Sequence, residues 1–148
     1  MTIVRKLLNE KSDTQIHSVA STSTVLDALK AMNEANTGAI LVSEGNKIVG
    51  IFTERDYARQ GEIKGRCAQD TLINEVMTKE MVMVKPETSV RQCIDLMSRY
   101  KVRHLPVLEN EHVIGVVSLR RLAAAMLEEQ KDTITELENY IMGTGYGR

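Results

Sequence analysis

The sequence predicts an α+β fold in which two pseudo-symmetric β-α-β-β-α repeats pack sheet to sheet. The segment around Gly50 aligns with the segment around Gly115 at an offset of 65 residues, without a gap back to Val19 and Val84. Strand-like apolar runs and helix-like apolar spacings recur in the same order in both halves. Each half of a 148-residue chain is small for an independent core, so the halves are expected to share one.

The first repeat follows a short helix predicted within residues 1–10. It begins with a strand at 16–19. The run Ser21–Thr24 supplies helix N-cap residues, and the apolar positions after it fall on one helix face. The remaining predicted elements are a buried strand at 39–42, a turn at 44–46, a strand at 48–52 and a helix capped by Thr53.

The second repeat is predicted to have the same order of elements. Ser118 caps a long helix that is expected to end near Met142, before Gly143. The other predicted elements are a strand at 82–84, a helix starting at 86–89, a strand at 105–108, a turn at 109–111 and a strand at 113–117. The expected boundaries are repeat 1 at 10–64, a linker at 65–75, repeat 2 at 76–130, and a C-terminal helix and tail at 131–148.

Composition argues against several classes of partner. The net charge of −1 does not suit a nucleic-acid-binding surface, and no apolar run approaches membrane-spanning length. The first residues lack a secretory-signal pattern, so we expect a cytoplasmic protein. Cys67 and Cys93 fit a reducing compartment and have no metal-site spacing. No metal or catalytic cofactor is expected.

The segment that joins Gly50 to Asp56 carries the first candidate chemistry. Gly50 allows close backbone approach, and Thr53 places a hydroxyl at a helix N-terminus. The Asp56 carboxylate can accept two hydrogen bonds side by side, which suits the two hydroxyls of a ribose. The alternative is purely local, because Thr53 and Asp56 also have the spacing of a capping pair.

Basic residues of the second repeat carry the other candidate chemistry. Arg103 and His104 precede an apolar strand, and an Arg fork with a His donor suits phosphate. Arg120 and Arg121 stand at a helix N-terminus, where cations are mildly unfavourable unless an anion compensates. The alternatives are a solvated loop for the first pair and helix surface charge for the second.

The two motifs of the form Gly-x-x-Thr/Ser, together with the strand Leu105-Pro106-Val107, resemble a tandem cystathionine-beta-synthase (CBS) domain pair, or Bateman module. The resemblance covers residues 10–127. The stretches 52–57 and 137–143 look more narrowly like small stand-alone CBS-pair proteins of bacteria and plant organelles. The resemblance therefore implies a regulatory module rather than an enzyme.

The resemblance also implies an adenosine-containing ligand: AMP, ADP, ATP, S-adenosylmethionine or an NAD-type dinucleotide. Thr53 and Asp56 would bind the ribose. The adenine would contact Ile51, Met81 and Val82, and the phosphates would contact Arg103, His104 beside Pro106, and Arg120.

The second repeat departs from the family motif, because Arg121 stands where the family has Asp. An arginine accepts no hydrogen bonds, so we expect one well-formed nucleotide site per chain.

The resemblance further implies a homodimer formed through helices beside the clefts. Candidate faces contain Leu29, Met32, Met97, Met126 and Leu127, although these side chains could equally fill the core. An alternative function is a protein-interaction adaptor with a structural or vestigial nucleotide site. Catalysis is disfavoured, because His17, His104 and His112 fall in separate segments without a nucleophile or metal spacing.

Overall fold

The computed structural model describes residues 1–10 and 14–141. In chain order its named elements are helix α1 (Val4–Glu10), strand β1 (Ser18–Ala20), helix α2 (Val25–Ala35), strands β2 (Ala39–Glu44) and β3 (Lys47–Thr53), helix α3 (Glu54–Asp56) continuing as a π-helical segment (Tyr57–Glu62), a 3₁₀ turn (Ile73–Glu75), helix α4 (Val90–Tyr100), strands β4 (His104–Glu109) and β5 (His112–Ser118), and helix α5 (Leu119–Asn139).

The internal repeat of the sequence is present in the backbone. Helices α2 and α4 and strand pairs β2–β3 and β4–β5 begin and end at positions exactly one repeat, 65 residues, apart. Both antiparallel pairs contain an irregularity at the same place, after Val42 in one and after Val107 in the other. The two helices also end alike, on left-handed residues Asn36 and Lys101. The predicted pseudo-symmetry is therefore confirmed.

Helix capping explains where the repeated helices begin. The Thr24 hydroxyl accepts a hydrogen bond from the Asp27 amide at 3.1 Å, and the Ser89 hydroxyl accepts one from the Gln92 amide at 3.1 Å. The Gln92 side chain accepts in return from the Ser89 amide. These bonds satisfy amides that a helix N-terminus leaves without a partner, so the predicted starts are confirmed.

The two sheets differ in their first strand. In the first repeat β1 pairs parallel to β2, two residues later than the predicted 16–19. In the second repeat the prediction of a strand at 82–84 is wrong, because Val84 alone of these residues forms a bridge, with Val107. In the first repeat the Leu41 amide bonds to the His17 carbonyl and the Ser21 amide to the Ser43 carbonyl. The equivalent donors in the second repeat are Pro106 and Pro86, which have no amide hydrogen, so pairing stops on both sides of Val84.

Sheet-to-sheet packing creates the contact between the repeats. Ala39, Leu41 and Ile51 form a buried cluster on the first sheet, and apolar side chains of the second repeat pack against it: Met81, Val113 and Val116. The predicted face-to-face arrangement is confirmed. Ile51, at the edge of this cluster, is also the first of the predicted site residues.

Each repeat completes its core with a segment that precedes the other repeat. Val4 and Leu7 of α1 are buried among the apolar side chains of the second repeat. Ile73 of the predicted linker and Val76, just after it, are buried in the core of the first repeat. This exchange ties the two halves together and makes their relative position part of the core.

The methionines proposed for a dimer face divide between core and surface. Met32 and Met97 are almost fully buried, one in each repeat's core. Leu29 and Met126 pack partly against those cores, whereas Leu127 is exposed. The core alternative is therefore correct for Met32 and Met97.

Helix α5 extends beyond the second repeat. Leu122 and Ala125 are its buried residues, and every residue from 130 to 141 is exposed. The predicted end near Met142, the break at Gly143 and the rest of the tail lie outside the described residues. In the part of the chain that the structure describes, no helix is long and apolar enough to cross a membrane.

Candidate functional site

A cavity of about 490 Å³ lies between the two repeats. Its lining comes from β3, α3, the segment before Val84, the end of α4 and the start of β4. It comprises Gly38, Ile51, Thr53, Glu54, Arg55, Asp56, Thr78, Glu80, Met81, Val82, Tyr100, Lys101, Val102, Arg103, His104 and Pro106. A volume of this size is within the range of small-molecule sites.

The structure brings together most of the residues that the sequence singled out. Those lining the cavity are Ile51, Thr53, Asp56, Met81, Val82, Arg103, His104 and Pro106. Arg120 does not line it; this residue is exposed on the first turn of α5. One small molecule could therefore touch both the acidic motif of the first repeat and the basic motif of the second.

The acidic end of the cavity is a capping box. The Thr53 hydroxyl accepts from the Asp56 amide at 3.1 Å, and Asp56 Oδ2 accepts from the Thr53 amide at 3.0 Å. The Thr78 hydroxyl donates to Asp56 Oδ1 at 3.1 Å. The local capping interpretation is thus correct as structure. The same bonds fix the Asp56 carboxylate at the cavity wall, where its remaining lone pairs can accept from a ligand.

Gly50 allows the segment before the second repeat to reach this end of the cavity. A Cβ built on Gly50 would lie 2.9 Å from the Thr78 carbonyl oxygen and 2.6 Å from Met77 Sδ. With no side chain there, Ile51 and Thr78 exchange two backbone hydrogen bonds, of 2.9 and 2.8 Å. The close approach predicted for Gly50 is confirmed, and it is what places Thr78 against Asp56.

The basic end is built where α4 turns into β4. Lys101 adopts the left-handed conformation, with φ of 55°, and the chain then runs through Arg103 and His104 into the strand. Across the cavity, Arg55 Nη1 donates to the Lys101 carbonyl at 2.6 Å. This bond joins the two repeats. The cavity is therefore lined by three cationic residues, Arg55 from the first repeat and Lys101 and Arg103 from the second.

His104 lies inside this end of the cavity. Burial lowers the pKa of His104; the nearby Glu54 carboxylate opposes the shift, and the Arg103 charge adds to it. Gly38 lies close by, since a Cβ built there would stand 3.6 Å from His104 Cε1 and 2.7 Å from Glu54 Oε1. An anionic ligand beside His104 would favour its protonated form.

Sequence reasoning missed several lining residues. Thr78, Tyr100 and Lys101 belong to no motif that the repeat offset highlights, and they reach the cavity through the fold alone. The signal that could have identified Tyr100 is its position: an aromatic side chain, 53% exposed, at the last residue of a helix next to the basic motif. Its ring offers a flat surface at the mouth of the cavity.

The equivalent position in the second repeat has a different structure. Ser118 caps α5 by accepting from the Arg121 amide at 3.1 Å, as Thr53 caps α3. The Arg121 side chain, however, is only 11% exposed and pairs with Glu10 of α1. The second repeat thus has a cation where the first repeat has the Asp56 carboxylate, and the N-terminal helix supplies the carboxylate that pairs with this cation.

Among the described residues, no group of three or more His, Cys, Asp or Glu side chains is placed to bind a metal ion. Cys67 is exposed and Cys93 is buried, and burial raises the pKa of Cys93 to about 11.

Comparisons with known proteins identify the repeats. The family model described as "CBS domain" matches twice, at residues 5–61 and 73–128. A CBS domain-containing mitochondrial protein of Arabidopsis thaliana is 38% identical over 83% of this chain. The aligned part covers 62% of that protein's length. A solved CBS-domain protein from Burkholderia ambifaria is 37% identical, with a TM-score of 0.83, over 87% of this chain and 96% of the other.

A more distant solved structure is a complex with adenosine-containing molecules. The CBS domain pair of protein MJ0100, in complex with 5′-methylthioadenosine and S-adenosyl-L-methionine, is 23% identical over 84% of this chain and 99% of the other, with a TM-score of 0.71. At this identity the likeness concerns the fold.

Proposed function

This chain belongs to the CBS domain family, whose tandem pairs are regulatory modules, and from that premise we propose that it is a sensor of adenine nucleotides. The ligand would occupy the cavity between the repeats. AMP, ADP, ATP and NAD are the candidate ligands. The observation that carries the proposal is that the Asp56 carboxylate and the Arg103–His104 pair, 47 residues apart between Asp56 and Arg103, line one cavity.

The capping box supports a ribose subsite. The hydroxyls of Thr53, which belongs to the box, and of Thr78, which lies beside it, both donate to Asp56, so the three side chains form a compact polar group at one cavity wall. Hydroxyl groups can rotate and change partners. The pair of ribose hydroxyls could donate to Asp56 while the threonine hydroxyls turn and donate to the ribose oxygens, which keeps every polar group satisfied.

The apolar lining supports a base subsite next to it. Ile51, Met81 and Val82 line the cavity, and Met81 packs against the cluster between the sheets. Ile51 comes from the first repeat, and Met81 and Val82 come from the start of the second. A flat adenine placed among them would bury apolar surface against both repeats, which is favourable in proportion to the area removed from water.

The basic residues support a phosphate subsite. Arg103 can offer a planar fork of donors, and His104 adds a donor from inside the cavity. Charge-assisted hydrogen bonds to phosphate are stronger than neutral ones. Arg120 is outside this proposed set, since it does not line the cavity.

Regulation would follow from the two-repeat construction of the site. A ligand that touches Asp56 and Arg103 adds contacts between the repeats, and it would shift the molecule toward the packing that binds it more tightly. We further propose that the output is a change in a homodimer or in contact with a regulated protein. The cytoplasmic location expected from composition stays a prediction.

Thermal unfolding with a panel of adenosine, AMP, ADP, ATP and NAD tests the nucleotide site. A ligand at a hundredfold excess over its Kd is expected to add about 2.7 kcal/mol to the free energy of unfolding. Asp56→Ala should remove most of that gain. The matched control is Asp27→Ala, which removes the carboxylate at the equivalent third position of α2, outside the cavity lining.

A second variant separates phosphate binding from nucleoside binding. Arg103→Ala should weaken ATP and ADP strongly and adenosine little, because the guanidinium would contact only phosphate. Absence of a shift with every ligand in the panel would overturn the proposal and favour the adaptor function. Equal weakening of ATP and adenosine would overturn the assignment of Arg103.

A further inference from the structure

Helix α5 carries an apolar stripe that the fold leaves uncovered. An α-helix turns about 100° per residue, so Leu127 and Ile134, spaced seven apart, lie along one line, with Ala123 and Leu137 beside them. Leu127, Ile134 and Leu137 are 68%, 56% and 57% exposed. We define the α5 stripe as Ala123, Leu127, Ile134 and Leu137.

The opposite face of α5 already has a neighbour. Residues spaced three or four apart on that face line a second cavity of about 280 Å³ together with the N-terminal segment: Ala125, Glu128, Asp132 and Glu136. The N-terminal amine also lies 3.8 Å from Glu129. The α5 stripe therefore points away from the molecule's own packing.

A helix in this position needs a partner. From residue 130 onward α5 has no buried side chain among its described residues, and a helical segment of that length is only marginally stable alone in water. An apolar stripe on a helix forms by packing against another surface. A heptad spacing of apolar residues suits a second helix of the same kind.

Charged residues beside the stripe indicate that its partner is α5 of a second copy and that the two helices run antiparallel. Arg120 and Glu138 lie on the same flank of the stripe and are separated by eighteen residues. If two copies of α5 pair antiparallel about a point near Gln130, Ala123 opposes Leu137 of the second copy and Leu127 opposes Ile134. The same register places Arg120 beside Glu138 of the second copy. A parallel pair would separate these opposite charges by the length of the helix.

We propose that the α5 stripe is the surface through which two copies of this chain associate, as an antiparallel helix pair flanked by Arg120–Glu138 contacts. This assignment rests on the homodimer of the proposed function and is independent of its nucleotide site. It gives Arg120 a role that its position outside the cavity allows. Interhelical pairs of this kind set partner orientation in paired helices.

Sedimentation equilibrium of the full chain tests the surface. The wild type is expected to be a dimer, and Leu127→Lys with Ile134→Lys should raise the dimer dissociation constant at least a hundredfold. The matched control is Glu128→Lys with Glu136→Lys, which makes the same number of lysines on the opposite face and should stay dimeric. Unchanged circular dichroism shows that the variants fold. A monomeric wild type, or a dimeric stripe variant, overturns the proposal.

Charge exchange tests the contact and its direction. Arg120→Glu and Glu138→Arg should each raise the dissociation constant about tenfold, and the double variant should recover most of the loss. In a Cys67→Ser background, Ala123→Cys copies should form disulfides with Leu137→Cys copies and not with each other. Disulfides between two Ala123→Cys copies would overturn the antiparallel arrangement. Nucleotide binding by Arg120→Glu should stay unchanged, so failure here is distinct from failure of the nucleotide site.

Discussion

The two equivalent strand-to-helix junctions of this molecule, at Thr53 and at Ser118, share a backbone and differ in charge. Thr53 and Ser118 occupy equivalent positions and cap the next helix in the same way. Three residues later the first repeat has Asp56, which bonds to Thr78 at the cavity wall. The second has Arg121, which pairs with Glu10. The difference shows that a duplicated backbone fixes where a side chain stands, while its identity decides what that place can bind.

A second difference concerns the residues that face those positions across the fold. Arg103 of the second repeat is equivalent to Gly38 of the first, and both line the same cavity. Gly38 has no side chain, and the Glu54 carboxylate occupies the space that a Cβ would take there. At these two pairs of equivalent positions the cavity thus receives the Asp56 carboxylate from the first repeat and the Arg103 cation from the second, a combination that exchange of the two repeats would not reproduce.

The largest expected effect comes from the equivalent core residues Phe52 and Val117, both fully buried. Phe52→Ala should cost about 3–5 kcal/mol of unfolding free energy, the usual range for such truncations. Val117→Ala removes two carbons and should cost about 2 kcal/mol, from transfer and cavity terms together. Urea unfolding measures both. A larger loss for Val117→Ala would contradict the view that the two repeats have comparable cores that unfold together.

Helix caps provide a smaller comparison. Ser89→Ala should cost more than Thr24→Ala, with both near 1 kcal/mol, because Ser89 is buried and belongs to a complete capping box with Gln92. Thr24 accepts one bond from an exposed N-terminus. Urea midpoints of the two variants give the difference. Equal losses would show that the burial of the Ser89 hydroxyl adds nothing measurable.

The pH dependence of His104 should be smaller still. Burial keeps the pKa of His104 below its ordinary value, so the unfolded chain binds the proton more readily than the folded one. The stability this contributes is present above the unfolded pKa of about 6.5 and is lost as pH falls through the folded value. Relative to His104→Gln, the wild type should therefore lose stability between pH 7 and pH 5.

Thermal unfolding at several pH values checks this, with exposed His112→Gln as the control for loss of a histidine outside the cavity. A wild type that gains on His104→Gln as pH falls would contradict the buried, neutral state. A saturating phosphate-bearing nucleotide should reduce the loss, since an anion favours protonated His104.

The last comparison is between the reaction rates of the two cysteine thiols. Cys67 should react rapidly with a thiol reagent because it is exposed. Cys93 should react slowly, because it is buried and burial raises its pKa to about 11, which leaves little thiolate at neutral pH. Counting thiols with and without denaturant measures this. Fast reaction of both would indicate that the second core opens readily.

Much of the fold was predictable because its signals are local. The caps at Thr24, Thr53, Ser89 and Ser118 follow from short polar residues before apolar helical spacing, and the structure contains all four. The repeat offset then transfers α2, β2 and β3 of the first half to α4, β4 and β5 of the second. The strand predicted at 82–84 from its apolar pattern was wrong, because prolines remove the amide hydrogens that would pair it with the next strand.

The exchanged segments were not predictable, because their partners are distant in sequence. The linker reads as polar, yet Ile73 is fully buried in the first repeat. The site was predicted in outline through the family motif, but Thr78, Tyr100 and Lys101 reach it by tertiary packing. The family resemblance placed Arg120 at the phosphates, but this residue is exposed on the first turn of α5 and does not line the cavity. The domain boundaries stay predictions.

Isothermal titration with ATP measures the central claim most directly, since it gives stoichiometry as well as affinity. The account predicts one ATP per chain. Asp56→Asn should weaken binding at least tenfold, about 1.4 kcal/mol, whereas Arg121→Gln at the equivalent position should leave affinity and stoichiometry unchanged. Two ATP molecules per chain, or a loss caused by Arg121→Gln and not by Asp56→Asn, would contradict it.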